Sequence, residues 1–220
     1  MCSQPERAPA PLQGITVHVV DDDATVRASL QPFLQRLGCT VCCHASAEEF
    51  LAGHDPAGSE CLVLDVALPG MNGLELLQHL AARHSMLPTL VLSANADVES
   101  VVTAIQRGAV GFQQKPPHPQ RLVEHVQAMA AKAGAMAAER ADLARLAAAL
   151  RTLTPREAQA FPLLARGMST KQIALTLGIS IRTAHIHRLH VFRNLRVENA
   201  VELVPLAARA LAHGLGPTPA

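Results

Sequence analysis

The stretch CLVLDVALPGMNGLELL, residues 61–77, decides the fold. Its first four residues, Cys61–Leu64, are apolar and typical of a buried strand, and Asp65 follows them directly. After the turn residues LPGMN a helical pattern begins at Gly73. A buried strand, a short turn and a helix predict a βα unit with Asp65 at the carboxyl end of the strand.

The same alternation repeats on both sides of this stretch. Apolar or β-branched runs occur at residues 16–20, 40–44, 61–64, 89–92 and 110–113, and helical patterns at 24–37, 46–51, 73–83, 97–107 and from Pro119. Strands alternating with helices indicate βαβ units and a parallel sheet. We therefore predict an α/β domain over residues 15–130, a doubly wound sheet of five parallel strands, preceded by a flexible Pro/Ala-rich lead-in at residues 1–14.

Polar side chains follow four of the predicted strands. They are Asp21, Asp22 and Asp23 after the first, Asp65 after the third, Ser93 after the fourth, and Lys115, reached through Phe112, after the fifth. Parallel strands bring these ends to one edge, near a topological switch point. Clustered carboxylates repel one another unless a cation joins them, and oxygen ligands suit Mg²⁺. An aspartate beside a metal and an ammonium group is a competent phosphoryl acceptor.

Charge divides the chain into two halves. Residues 1–130 hold 7 Lys/Arg and 13 Asp/Glu, a balance of −6, whereas residues 150–220 hold 9 and 3, a balance of +6. Such asymmetry indicates two tasks, and the basic half is a candidate for binding nucleic acid. Between them residues 131–149 are Ala-rich and predict a helical linker, with Gly134 as a candidate break.

The basic half has the pattern of a small all-α domain, residues 150–214. Residues 170–177 form a short amphipathic helix, Gly178-Ile179-Ser180 a turn, and a second helix runs from a Ser180 cap to about Leu195. A helix, a glycine-bearing turn and a helix predict a helix-turn-helix, whose second helix can enter the major groove of DNA. Pro162 lies inside the preceding predicted helix and is a candidate kink.

Residues 15–130 resemble the receiver domain of response regulators, which has a flavodoxin-like fold. The matching pieces are VVDDD at 19–23, LDVALPGMNGLELL at 64–77, VLSANADV at 91–98 and GAVGFQQKP at 108–116. The resemblance implies that Asp65 is the phosphoacceptor. It implies Mg²⁺ ligation by Asp22 and Asp65, by the backbone carbonyl of Ala67, and by Asp21 largely through water.

The same resemblance assigns three further residues. Ser93 would swing its hydroxyl toward the phosphoryl group, Phe112 would move inward with it, and Lys115 would pair with the phosphoryl oxygens. The Lys115–Pro116 bond is expected to be cis, as it often is in this family. Asp23, at a variable position, is expected to cap the first helix.

The basic half resembles the DNA-binding domain of LuxR and FixJ/NarL regulators, through LTPRE at 153–157, GMSTKQIA at 167–174 and ISIRTAHIH at 179–187. Together with the receiver this indicates a two-component response regulator of the FixJ/NarL type. The resemblance implies base or groove contacts from Arg182, His185, Ile186, Arg188 and Leu189. It implies contacts to the DNA backbone from Lys171, Thr183 and His187.

The resemblance also implies partners. A sensor histidine kinase would phosphorylate Asp65, and phosphorylation would promote dimerisation or release the DNA-binding domain to regulate transcription from double-stranded DNA. One alternative is a DNA-binding regulator that works without phosphorylation. Another is a phosphohydrolase with Asp65 as nucleophile, although Val66 and Ala67 provide no general acid. We expect that the protein is not an enzyme.

Other sites are less favoured. Cys39-x-x-Cys42 has redox or zinc spacing but no second ligand pair, so small buried residues are the better interpretation. His185, His187 and His190 lie together on one helix without Cys or acidic neighbours, which favours groove or packing roles over zinc. The first residues have no apolar h-region and no uncharged apolar stretch reaches about 18 residues. We expect a cytoplasmic protein without a membrane span.

Overall fold

The structure, a computed structural model, describes residues 12–54, 58–83, 87–94 and 97–217. The residues of the predicted lead-in before residue 12 therefore lie outside the described residues. One compact unit ends at Ala138 and a second begins at Glu139. In the described residues the elements in chain order are β1 (Ile15–Val20), α1 (Ala24–Arg36), β2 (Thr40–His44), α2 (Ala47–Gly53), β3 (Ser59–Asp65), α3 (Gly73–Ala82), β4 (Thr89–Ser93), α4 (Val98–Gln106), β5 (Gly111–Gln114), α5 (Pro119–Arg151), α6 (Pro155–Ala165), α7 (Thr170–Leu177), α8 (Ile181–Leu195) and α9 (Ala200–Ala212).

The five strands form one parallel sheet in the order β2-β1-β3-β4-β5. Val17 and Val19 of β1 pack with α1 and α5 on one face, and Leu62 and Leu64 of β3 pack around Phe50 of α2 on the other. Because α1 and α2 cover opposite faces, the chain reverses direction across the sheet between β1 and β3. The predicted α/β fold is confirmed, and its switch point lies at the carboxyl ends of these two strands.

Side-chain caps set where the helices begin. Asp23 accepts a hydrogen bond from the Thr25 N–H at the start of α1, and Ser46 accepts one from the Glu49 N–H at the start of α2. The cap predicted at Asp23 is therefore present. Asn72 forms a reciprocal capping box at the start of α3, which ends the loop that follows β3.

The second unit is a helical bundle around its own apolar core. Leu150, at the end of α5, packs there with Phe161, Ile173, Val191 and Leu203 of the four following helices.

The turn between α7 and α8 has the predicted chemistry. Gly178 has φ +64, a left-handed conformation that glycine adopts without strain, and the Ser180 side chain caps α8. The predicted helix-turn-helix is thus formed.

One local expectation is wrong. Gly134 does not break α5, which is continuous from Pro119 to Arg151 because a single glycine costs a helix only about 1 kcal/mol among alanines. Pro162, the candidate kink, lies inside α6, where buried Phe161 and Leu164 hold the helix against the core. Among the described residues, no helix is long and apolar enough to cross a membrane.

Candidate functional site

An ion-pair triad lies at the switch point of the sheet. The Nζ atom of Lys115 is 2.6 Å from Asp21 Oδ2 and 2.7 Å from Asp65 Oδ2. Asp21 is 1% exposed and Asp65 4%. Because water is largely excluded from both carboxylates, the charge of Lys115 acts on them with little screening.

The backbone around the triad fixes the direction of the carboxylates. The Asp23 N–H donates to Asp21 Oδ1 at 3.0 Å, and the Ala67 N–H donates to Asp65 Oδ1 at 3.3 Å. The Lys115 N–H donates to the Ser93 carbonyl at 2.8 Å, and the following Lys115–Pro116 peptide bond is cis. The lysine side chain thus starts from a backbone tied to the end of β4.

The pKa values of the triad reflect this crowding. Burial raises the pKa of Asp21, and the negative charge of Asp65 raises it further, against the opposing effect of Lys115. Burial alone would lower the pKa of Lys115, but its bonds to Asp21 and Asp65 outweigh burial and raise it. The pocket therefore holds a persistent ammonium between two carboxylates.

The donor set fits a hard divalent cation. Carboxylate oxygens of Asp21, Asp22 and Asp65 lie within 4.8 Å of one another. Asp21 Oδ2 is buried and has the Lys115 ammonium 2.6 Å away as its contact in the described part of the chain. Asp22 is exposed and leaves one side of the set open to water. All-oxygen ligands with room for water are what Mg²⁺ prefers. Ala67, whose backbone carbonyl is the fourth predicted ligand, is two residues after Asp65 in the loop that follows β3.

The predicted Ser93 and Phe112 occupy neighbouring strands. Ser93 is the buried last residue of β4, and Phe112 of β5 is half-buried against the core that contains Phe50 and Leu62. In the sheet Asp65 pairs with Leu92, which directly precedes Ser93, and Phe112 pairs with Val91. Ser93 and Phe112 therefore lie within one register position of Asp65.

The second unit presents the predicted face of α8. Arg182, His185, Ile186 and Leu189 are exposed there, as is Lys171 on α7. Ala184, between them in sequence, is buried against the core. The helix thus has an outward face of mixed basic and apolar side chains.

The other predicted DNA-contacting residues already have partners or are partly covered. The Arg188 guanidinium lies 5.0 Å from the centre of the Phe192 ring, a cation–π contact. Thr183 Oγ1 is 2.8 Å from Ser180 Oγ, and His187 is half-buried. His190 Nδ1 lies 3.0 Å from the Oε1 of buried Glu157. Among the described residues, His190 belongs to no group of three side chains close enough to hold a metal.

Comparison with known proteins finds a matching family for each of the two units. Residues 17–127 match the response regulator receiver domain, and residues 151–207 match the luxR family of bacterial regulatory proteins. The chain is 36% identical over 203 residues to the transcriptional regulatory protein FixJ of Rhizobium meliloti (strain 1021), covering 92% of this chain and 98% of FixJ. The chain belongs to the FixJ/NarL-type response regulators.

Solved structures agree. The response regulator StyR is 34% identical, with a TM-score of 0.79 over 89% of this chain and 99% of StyR. Full-length FixJ from B. japonicum is 36% identical, with a TM-score of 0.52 over 90% of this chain and 98% of FixJ. This response regulator is therefore a transcriptional regulator with a receiver domain and a LuxR-type DNA-binding domain.

Sequence patterns missed several residues that hold the sites of this response regulator. The Arg27 guanidinium donates to the carbonyls of Asp21 and Asp22 at 2.6 and 2.9 Å, which steadies the acidic end of β1. Glu48 of α2 accepts from the Met71 N–H at 2.9 Å and so holds the loop after β3. Only the position of Arg27 one turn into α1 hinted at the first contact, and no local pattern hinted at the second.

Proposed function

We propose that a sensor histidine kinase phosphorylates this response regulator on Asp65, and that phosphorylation promotes dimerisation or releases the DNA-binding domain. The observation that carries the proposal is the contact of Lys115 with Asp65 beside Asp21, two carboxylates that are both buried. Asp65 stands at the switch point, the place where doubly wound sheets bind ligands.

The chemistry follows from the carboxylate oxygens of Asp65. One oxygen attacks the phosphorus, the P–N bond of the donor histidine breaks, and an acyl phosphate forms on Asp65. Lys115 then neutralises charge on the phosphoryl oxygens, and the Ala67 N–H holds the other carboxylate oxygen in place. Asp21, Asp22, Asp65 and the Ala67 carbonyl would hold Mg²⁺, which when bound stabilises the charge of the transferring group.

The proposed coupling uses the edge formed by α4, β5 and α5. The Ser93 hydroxyl would turn toward the phosphoryl group and Phe112 would move inward beside it, as a two-state element biased by added charge. Exposed apolar side chains on α4, namely Val98, Val102 and Ile105, support this edge as the surface that pairs with a second copy. Dimerisation would present two α8 helices to two half-sites.

Labelling with a small phosphodonor and Mg²⁺ tests the acceptor. Asp65→Asn should abolish labelling, whereas Asp23→Asn should label like the wild type because asparagine also caps a helix. Equal labelling of Asp65→Asn would refute the assignment. Continuous release of phosphate at a steady rate would identify the phosphohydrolase alternative instead.

Selection of DNA from a random pool, with and without phosphodonor, tests DNA binding and its dependence on phosphorylation. On the selected site Arg182→Ala should cost about 1–3 kcal/mol and relax preference at one base pair. Lys171→Ala should weaken all sequences alike and reduce the salt slope by about one. Affinity for DNA unchanged by the phosphodonor would favour the phosphorylation-independent regulator.

A further inference from the structure

A second group of metal-ligating side chains lies on the α2-covered face of the sheet, away from the acidic pocket. His18 is in the middle of β1, Glu60 is near the start of β3, and His54 caps the end of α2. One ligand atom of each lies within 4.8 Å of the other two. His18 precedes Asp21 by three residues, about 10 Å along a strand, so this three-ligand cluster is separate from the pocket.

The three-ligand cluster is mostly buried. The side chains of His18, His54 and Glu60 are 9%, 8% and 13% exposed. The fully buried Phe50 packs against both imidazole rings of the cluster. Its ring is stacked on His54, with the ring centres 4.7 Å apart, and edge-on to His18, with the ring centres 5.3 Å apart. A buried carboxylate among imidazoles needs either a proton or a cation to balance it.

The hydrogen bonds leave one ligand atom unused. His54 Nε2 lies 2.9 Å from Glu60 Oε2, but His18 Nε2 lies 4.0 Å from that oxygen. Within the described part of the chain, His18 Nε2 is buried and has no hydrogen-bond partner. It nevertheless points toward the carboxylate and the second imidazole, which is the arrangement of a ligand set.

The opposite side of the His18 ring is already held. His18 Nδ1 lies 3.1 Å from His44 Nε2 at the end of β2. Metal-binding histidines almost always donate a hydrogen bond from their second nitrogen, which fixes the ring and its tautomer, and His44 Nε2 can accept one here. Burial, together with His44 and His54, lowers the pKa of His18 to about 4, so its imidazole is neutral at pH 7.

We propose that His18, His54 and Glu60 bind a Zn²⁺ ion, with water as the fourth ligand. Two imidazoles and one carboxylate are a common zinc set with an open position. Zinc bonds of about 2.0–2.2 Å place ligand atoms roughly 3.3 Å apart, so closing the cluster requires shifts of about 1 Å. The ion ties β1, β3 and the end of α2 together and stabilises the receiver domain by mass action.

The test uses the full chain, stripped with a chelator and titrated with Zn²⁺ under excess Mg²⁺ to occupy the acidic pocket. Competition with a chromophoric chelator should show a zinc site that raises the thermal midpoint of the wild type. His54→Gln and Glu60→Gln should each weaken that site more than about tenfold and remove the thermal shift. Circular dichroism of the metal-free variants checks that both fold.

The matched control is His79→Gln, a histidine of α3 in the same domain whose Nε2 is also buried and without a hydrogen-bond partner among the described residues. It should bind Zn²⁺ like the wild type. The proposal is overturned if wild type shows no zinc-dependent shift, or if folded His54→Gln and Glu60→Gln keep wild-type affinity. The latter result would place the zinc on other histidines and leave the cluster as packing around Phe50.

Discussion

Asp21 in the first unit and Glu157 in the second are both nearly buried carboxylates, 1% and 5% exposed, yet their pKa values shift in opposite directions. Burial raises the pKa of Asp21, and the neighbouring Asp65 adds to that rise. Burial also opposes ionisation of Glu157, but hydrogen bonds involving Thr154 and His190 outweigh it and lower the pKa.

The difference lies in how each carboxylate is balanced. Glu157 accepts the Thr154 N–H at 2.9 Å and meets His190, so its charge is satisfied within the fold. Asp21 shares one ammonium with another carboxylate, so its charge is only partly balanced. A pocket held in this state favours a second cation, and its energetic cost is the expected trade-off between stability and activity.

The largest effect is expected from the backbone under the acidic pocket. A Cβ on Gly73 would overlap the Asp65 carbonyl oxygen, and the Gly73 N–H bonds to the Val66 carbonyl at 3.0 Å. Gly73→Ala should therefore reduce the free energy of unfolding by roughly 3 kcal/mol, as overpacking does, in urea denaturation. A loss below about 1 kcal/mol would mean that the loop after β3 can move away.

Gly134→Ala is the matched control for that change. Gly134 is helical and has open space around it, so alanine there should leave the protein as stable or up to about 1 kcal/mol more stable. Opposite signs for the two substitutions would separate steric contact from glycine flexibility.

The next effect tests the satisfied carboxylate. Glu157→Ala removes the partner of the Thr154 N–H and of His190, and should cost about 2 kcal/mol. Glu202 has the same position at the start of α9 but is exposed, and its carboxylate accepts from the Glu198 N–H and from Asn199 Nδ2. Glu202→Ala should cost about 0.5–1 kcal/mol. Equal losses would show that capping alone, without burial, explains Glu157.

The pH dependence of Glu157 has a definite sign. Its folded pKa is lowered, so its contribution is complete above the ordinary pKa and is lost as the pH falls through the folded value. The stability gap between wild type and Glu157→Ala should therefore narrow on acidification below pH 5. Denaturation midpoints at pH 7, 5 and 4 measure it.

The sequence predicted the acidic pocket far better than the groups around it. Asp21, Asp65 and Lys115 each follow a strand, and parallel strand ends must meet, so topology alone brings them together. Glu157 and His190 are 33 residues apart on different helices, and their pairing depends on how α6 packs on α8. The predicted DNA-contacting residues stay predictions, because the base that an exposed side chain of α8 contacts is defined only in a complex with DNA.

A smaller change of opposite sign is expected at Asp21. Because its folded pKa is raised, the ionised form costs stability, and that cost grows as the pH rises through the ordinary carboxyl range and stays at neutral pH. Asp21→Asn should thus raise the free energy of unfolding at pH 7 by roughly 0.5–2 kcal/mol while weakening Mg²⁺ binding. The gain should shrink toward pH 4.

Asp22→Asn is the comparison for Asp21. Asp22 is exposed, so its change should shift stability by less than about 0.5 kcal/mol while still weakening Mg²⁺ binding. If Asp21→Asn is destabilising instead, the attraction of Lys115 offsets the cost of burying both carboxylates. Asp21 would then be a stabilising carboxylate like Glu157.

The smallest effect is expected at an ion pair whose distance equals that of the acidic pocket. Arg209 Nη2 of α9 lies 2.7 Å from Glu139 Oε1 of α5, as Lys115 Nζ does from Asp65 Oδ2. The Arg209 and Glu139 side chains are 37% and 54% exposed, so water and salt screen their attraction. Arg209→Gln should cost less than about 1 kcal/mol in urea denaturation, and nothing measurable in high salt. A small loss here, beside a loss of about 2 kcal/mol for Glu157→Ala, would assign the difference to burial. A loss above about 2 kcal/mol would show that the contact geometry matters more than burial.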